Sequence, residues 1–433
     1  MVRIAPRAAR VASAAVLAAG IALAASRPAP AAGGARAILL VPDSSASTSD
    51  GRFPDLDDEE IVVFDPARPG SLVPFLQDVN WPTLLGDANR DGRLDDAPAR
   101  VDAIAPAGDT AASAFDLLFS FSSDRVFLGQ LVRDGDLVRL VPGGSFEVVI
   151  SEAALRAALA TEADIDLDAA AFAPDGAFLF SLDDTIGTSS SLLARENGGS
   201  RLLSDATVFE IPAGAATARV LFREADVLRM VNRALGTAYL SVVDLQGLEI
   251  VDGEILFTTG ILTGPATGTV FTARAGGEVA ALGGVPLDGG AFGTSGREDW
   301  NGLAAVATPL SPLVLDTATP SVSRSGDARI EVRIASGTPF GRARLLATPL
   351  ARPMSPPSVE GTLGGTGYVF LERSSPMYAR SLVSPRTLVP LDARGDATIS
   401  FPLRATTPVM ALGLQAIDET TRTASHAIVI EIR

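Results

Sequence analysis

Between residues 38 and 306 the chain alternates short apolar runs with turns rich in Gly, Pro, Asp and Asn, and one four-part order recurs. A small-residue run entered through a polar side chain occupies residues 101–105, 167–171, 245–249 and 300–304. A more hydrophobic run, usually ending in Ser or Asp, occupies 38–44, 115–122, 177–183 and 254–260. A third, usually stopped by proline, spans 61–66, 137–142, 207–212 and 269–275, and a shorter fourth covers 71–76, 146–151, 218–224 and 278–282. Runs rich in Val, Ile, Leu and Phe with such boundaries predict strands. Four strands per unit, the innermost built of small residues, is the layout of a propeller blade, where inner strands converge on an axis.

The two ends of this region complement each other. The first unit, starting at Ile38, has no inner strand of its own, whereas the stretch 300–306 is an inner strand with no unit behind it. Joining them predicts one sheet in which Trp300 and its neighbours complete the N-terminal blade and remove free edges. The expected fold class is all-β: a β-propeller of about four blades over 32–307, with room for a fifth in the insertions of the second and third units. The competing arrangement is a β-sandwich followed by unrelated strands. Helical insertions are expected behind Ser151, where Glu152 sits in a first turn, and over 225–235, where Val227, Leu228, Val231 and Leu235 keep helical spacing.

Beyond Ala307 the pattern changes. Residues 308–326 are rich in Pro, Ser and Thr and read as a linker. Residues 327–433 carry runs at 328–334, 397–403, 409–417 and 427–432, several with apolar–polar alternation, which predicts a C-terminal antiparallel β-sandwich.

Composition places this architecture. Residues 1–31 read as a signal peptide, with Arg3, Arg7 and Arg10 ahead of an apolar core at 11–25 and small residues at 22–24 or 29–31 for cleavage. The core is too short to span a bilayer, and no later segment is long and apolar enough for a transmembrane anchor, so a secreted or cell-surface location is expected. Losing residues 1–31 removes Arg3, Arg7, Arg10 and Arg27 and takes the net charge from −16 to −20. So acidic a surface argues against nucleic acid and favours divalent cations or basic partners. There is no cysteine and no lysine, so disulfides, Schiff-base chemistry and a P-loop lysine are excluded. The lone histidine, His426, beside the last strand, reads as structural, and no catalytic residue is assigned.

The strongest local motif is Gly86-Asp87-Ala88-Asn89-Arg90-Asp91-Gly92-Arg93-Leu94-Asp95-Asp96. Asp87, Asn89 and Asp91 alternate toward one point, Gly92 allows the reversal, and the Arg93 carbonyl and Asp95 carboxylate follow, a spacing suited to calcium. Pro98 stands where an EF-hand would place its bidentate glutamate. Acid at the ninth position resembles the calcium loops of integrin-type propeller repeats, which implies calcium in an inter-strand loop over about ten residues. The bland counterpart is a solvated Asp/Asn/Gly turn.

A second candidate comes from aligning the inner runs. Asp102, Asp168, Gln246 and Asn301 fall at one equivalent position, with Arg100, Asp166, Asp244 and Asp299 two residues earlier. In a closed ring these would surround a central channel and offer oxygens to a cation or small polar ligand, in an arrangement similar in kind to calcium-dependent propeller lactonases. Alternatively each caps its own inter-blade turn. If the axis holds a metal, Asp166, Asp244 and Asp299 are the candidate bases. The acidic turns at 55–60 and 134–136 read as solvated, and Trp81 and Trp300 as a thin case for a carbohydrate-stacking surface. As a whole the chain resembles poorly characterised secreted propeller proteins of high-GC bacteria, a likeness of architecture that transfers no activity. The expected function is a secreted, calcium-stabilised binding or cell-surface interaction module for an extracellular protein or glycan. The alternative is a calcium-dependent propeller hydrolase, lactonase- or phosphoesterase-like.

Overall fold

Runs such as Ile61–Phe64, Leu117–Phe121 and Phe178–Leu182 are buried at every position instead of alternating. A strand reads this way only when apolar layers cover both faces of its sheet. The computed structural model describes residues 36–43, 60–64, 72–85, 100–108, 111, 113–127, 129–141, 145–240, 244–260, 269–273, 279–281, 300–307, 313–317, 319–324, 328–350, 371 and 374–433. Residues 1–31, the loop at 86–99 and Asp299 lie outside them.

The protein is all-β with a few helices. Four antiparallel four-stranded sheets account for the first part. The first sheet contains β1 (Arg36–Pro42), β2 (Ile61–Phe64) and β3 (Leu72–Leu76). The second contains β4 (Val101–Pro106), β5 (Leu117–Phe121), β8 (Leu137–Val141) and β9 (Ser145–Ile150). A separate hairpin, β6 (Arg125–Phe127) with β7 (Gln130–Val132), projects between β5 and β8. The third contains β10 (Leu167–Phe172), β11 (Phe178–Leu182), β14 (Val208–Ile211) and β15 (Arg219–Phe222), with the hairpin β12 (Ile186–Gly187) and β13 (Leu202–Leu203) inserted likewise. The fourth contains β16 (Asp244–Val251), β17 (Glu254–Gly260), β18 (Phe271–Ala273) and β19 (Val279–Ala281).

The expected junction of the two ends is present. β20 (Trp300–Ala307) pairs antiparallel with β1 from Arg36↔Ala307 to Pro42↔Trp300, making the first sheet β20-β1-β2-β3. Each sheet shares an apolar core with the next. Phe75, Ile104 and Phe119 meet between the first and second sheets, and Leu118, Phe178 and Phe209 between the second and third. Leu179, Leu248 and Phe271 meet between the third and fourth, and Leu40, Leu256 and Leu303 between the fourth and the first.

Small residues let the inner strands approach. A Cβ at Gly302 would lie 2.8 Å from Val41 Cγ2 and 3.1 Å from Ile104 Cγ1, and one at Gly247 would lie 2.9 Å from Leu303 Cβ. Glycine is required where backbones come this close. The helices are short insertions. Glu152–Leu159 begins at Ser151, whose hydroxyl accepts the Ala154 N–H, and Glu224–Leu235 ends at Gly236 in the left-handed region. Val227 and Val231 turn that second helix onto the core between the third and fourth sheets.

Two further sheets face each other across one apolar core at the C-terminal end. The first joins β21 (Val314–Asp316), β23 (Arg329–Ala335) and β26 (Ala397–Pro402). The second joins β22 (Ser321–Val322), β28 (Ile428–Ile432), β27 (Met410–Asp418), β24 (Arg342–Leu350) and β25 (Leu388–Pro390). Ile330, Val332 and Ile334 meet Leu345, Leu414, Ile428 and Ile430 between them.

Three features differ from the sequence expectation. The Pro/Ser/Thr-rich stretch read as a linker supplies the edge strands β21 and β22, each too short to leave a periodic signal. The β22–β28 pair is parallel in otherwise antiparallel sheets. Strand β24 and the helix Pro376–Val383 were not anticipated.

His426 lies where these C-terminal sheets pack on the earlier ones. Its Nε2 accepts the Ala114 N–H at 3.3 Å and its ring meets Phe75 edge-on at 5.3 Å. Asn80 donates to the Ala427 carbonyl at 3.2 Å nearby. Burial pushes the imidazole pKa down to about 4, so it is neutral at physiological pH and serves the packing.

Candidate functional site

Asp102, Asp168, Gln246 and Asn301 sit near the starts of β4, β10, β16 and β20, the four strands that lie against one another. At each, the ladder to the second strand of its sheet is broken by a register shift. The shifts fall between Val101 and Ile104, Leu167 and Ala169, Asp244 and Gly247, and opposite the Val41–Pro42 step. A bulge forfeits pairing and re-aims the residue it carries. Its recurrence in all four strands sets a polar side chain at the same level of each.

A second repeated device fixes these strands to their neighbours. The Ser120 hydroxyl on β5 donates to the Leu167 carbonyl at 2.7 Å and accepts the Ala103 N–H at 2.9 Å. Ser181 on β11 donates to the Leu245 carbonyl at 2.8 Å, and Thr258 on β17 to the Trp300 carbonyl at 2.8 Å. Each accepting carbonyl belongs to the residue just before a bulged polar side chain, so the hydroxyl holds the backbone that presents it. The equivalent position on β1 is Val41, which has no hydroxyl. Sequence reasoning passed over these hydroxyls; the signal was there, a Ser or Thr one residue beyond the aromatic in Phe119-Ser120, Phe180-Ser181 and Phe257-Thr258.

The tier is deeply buried: Asp102 is 5% exposed, Asp168 4%, Gln246 8% and Asn301 1%. Asp168 Oδ2, Gln246 Oε1 and Asn301 Oδ1 are buried with no hydrogen-bond donor among the described residues. The turn-capping alternative does not account for these oxygens. Two residues before the tier, Asp166 and Asp244 each keep a buried Oδ1 with no donor among the described residues.

Exposure rises outward from the tier. Asp134, Asp166 and Asp244 are half-buried, and Asp183 and Asp184 at the end of β11 are exposed. The guanidinium of Arg100 pairs with Asp43 and stands 3.7 Å from Asp102 through Nε. The negative charges reinforce one another. Burial, then Asp166, pushes the Asp102 carboxyl up to about 8 despite Arg100. Burial and then Asp134, Asp183 and Asp184 raise Asp166 to about 7, and burial with Asp205 and Asp183 raises Asp244 to about 7. Asp168 is lifted well above the carboxylate range by burial, then by Asp244 and Asp102.

The structure therefore brings Asp102, Asp168, Asp166 and Asp244 into one electrostatic cluster, with Gln246 and Asn301 at the matching strand positions. The loop carrying Asp87, Asn89, Asp91, Arg93 and Asp95 lies outside the described residues, as does Asp299. Trp81 and Trp300 are both 0% exposed, in the cores between sheets, so they form no stacking surface. Among the described residues, no three His, Cys, Asp or Glu side chains form a metal-holding group by themselves, and no helix is long and apolar enough to cross a membrane.

No family model and no curated protein matches this chain. Among solved structures it is similar to the adhesin InvE of Yersinia pseudotuberculosis, at 13% identity over 62% of this chain and 58% of that one, with a TM-score of 0.18. It is also similar to the N-terminal domain of Nup170 of Chaetomium thermophilum in complex with Nup53, at 11% identity over 98% of this chain and 60% of that one, TM-score 0.17. A third is red sea bream transglutaminase, at 10% identity over 92% of this chain and 57% of that one, TM-score 0.16. The chain spans less than two thirds of each, and superpositions this loose carry no argument about fold or function.

Proposed function

We propose that this chain is an exported binding module: a four-bladed β-propeller buttressed by a C-terminal β-sandwich, which presents an acidic axial mouth to a cationic group of an extracellular partner. The blade reading is supported by the pairing of β20 with β1 and by cores that link each sheet to the next in cyclic order. Export rests on the pattern of residues 1–31, and a stabilising calcium ion on the spacing of Asp87, Asn89, Asp91, Arg93 and Asp95.

One observation carries the binding role. Asp134, Asp183 and Asp184 raise the carboxyl of Asp166, Asp205 and Asp183 raise that of Asp244, and the guanidinium of Arg100 is engaged by Asp43. A concave patch of one sign focuses potential and raises the local concentration of oppositely charged ligand.

The test uses the mature chain, a short arginine-rich peptide, a glycan panel, and a panel of lactones and phosphoesters. Binding of the peptide that weakens with salt, and drops about tenfold or more in an Asp183→Asn/Asp184→Asn/Asp205→Asn variant, supports the reading. Glycan binding indifferent to these substitutions, or hydrolysis that requires Asp168, overturns it; the latter would establish the hydrolase alternative.

A further inference from the structure

We propose that Asp102, Asp168, Gln246 and Asn301 together bind one hard divalent cation, of the calcium type, where the four inner strands meet. The inference rests on the propeller reading above, since it needs the four strands to surround a common centre.

Repetition is the first argument. Four strands each interrupt their ladder at the same place, and each interruption carries an oxygen-bearing side chain. Were these residues only turn caps, their oxygens would meet backbone N–H groups. Among the described residues Asp168 Oδ2, Gln246 Oε1 and Asn301 Oδ1 meet none, in side chains 4%, 8% and 1% exposed. Buried oxygens without donors are costly, and several at one level call for a positive charge between them.

Charge and chemistry then select the ion. Ionised against a bound cation, Asp102 and Asp168 with the two carboxamide oxygens present two negative charges and only hard donors. That balances one divalent cation and disfavours metals that prefer thiolate or imidazole. Asp166 and Asp244, two residues before Asp168 and Gln246, add negative potential around the tier without joining its ligands. Arg100 does not replace the ion: it reaches Asp102 at 3.7 Å and is shared with Asp43, and among the described residues no arginine pairs with Asp168. Magnesium, which demands a tighter octahedron and keeps its waters, fits a tier of four separately held strands less well.

The experiment is calcium calorimetry on the metal-stripped mature chain carrying Asp91→Ala, which silences the loop at 87–95. One calcium event is expected to persist there, to weaken about tenfold or more with Asp168→Asn, and to weaken again with Gln246→Ala. Magnesium should bind at least about tenfold more weakly. Should Asp91→Ala fail to fold, the same is read from wild type as two calcium events, of which Asp168→Asn removes one. No calcium event in the Asp91→Ala protein up to millimolar concentration overturns the proposal, as does an event unchanged by Asp168→Asn. A calcium-free double-mutant cycle of Asp102→Asn and Asp168→Asn separates the two levels of failure. Coupled stabilities with no calcium event reject the ion alone, whereas strictly additive stabilities reject the shared centre and the propeller reading with it.

Discussion

The hydroxyl of Ser181 donates to the carbonyl of Leu245, 64 residues further along the chain, at 2.8 Å. The bond joins the second strand of one sheet to the first strand of the next, just ahead of Gln246. Because Ser120 and Thr258 make the same bond to Leu167 and Trp300, the device belongs to the repeat. Ser181→Ala leaves a buried carbonyl without its donor and should lower the unfolding free energy by about 1–3 kcal/mol. Urea denaturation of Ser181→Ala beside the exposed Ser189→Ala checks this, and equal costs at the two sites would refute it.

The β1–β20 junction makes a sharper demand on shape. Leu40 is 0% exposed in the core between the fourth and first sheets, and its removal by Leu40→Ala should cost about 2–5 kcal/mol. Gly302→Ala should cost about 1–3 kcal/mol for the opposite reason, since its new Cβ would press on Val41 Cγ2 at 2.8 Å. Chemical denaturation of both variants is the measurement. A neutral Gly302→Ala would mean that β20 and β1 are not so closely packed in solution.

Stability of the metal-free protein should fall as pH rises from about 4 to about 8. Asp166 and Asp244, each raised to about 7, and Asp102, raised to about 8, hold protons in the folded chain that the unfolded chain has already lost. The folded state therefore binds more protons across this window, and the advantage it has at acid pH is lost as these groups ionise. Asp102→Asn should flatten the slope, read as Tm against pH in chelator.

His426 works in the other direction at lower pH. Its folded pKa is lowered to about 4, so the unfolded chain binds the extra proton between about 4 and the ordinary imidazole value of 6.5. Stability from this residue is present above that range and is lost as pH falls through it. His426→Gln should therefore steepen the fall in Tm between about pH 4 and 6.5 while leaving the profile above it unchanged. An unchanged profile would place His426 away from the Phe75–Ala114 contact.

Calcium should raise the Tm of the mature chain. Saturation at a hundredfold excess over Kd adds about 2.7 kcal/mol for each independent site. Thermal melts with calcium or chelator on wild type, Asp91→Ala and Asp168→Asn assign the gain to the loop or to the inner tier. A Tm indifferent to calcium would remove both sites.

Most strand positions could be read directly from the chain. Inner runs such as 167–171 and outer runs such as 146–151 fall where β10 and β9 lie, because apolar residues between turn formers leave the backbone few alternatives. The pairing of β1 with β20 was also legible, as an unmatched half-unit at each end of the repeat. The helix behind Ser151 announced itself through its cap. Strand β24 did not, because its run of Arg, Ala, Leu and Thr lacks a clean alternation, and the very short β21 and β22 carry too few residues to show any.

The candidate site divides along the same line. Equivalence of Asp102, Asp168, Gln246 and Asn301 is a property of local order along the chain, so alignment of the repeats found it. Which of their oxygens lack donors, and that Asp168 faces Asp244 and Asp102, depends on strands brought together from distant parts of the chain. Burial was likewise invisible beforehand: Trp81 and Trp300 could have lined a surface, and only packing between sheets put them inside. Strand identity follows from neighbours in sequence, whereas desolvation and charge repulsion follow from neighbours in space, and the latter exist only once the sheets have packed.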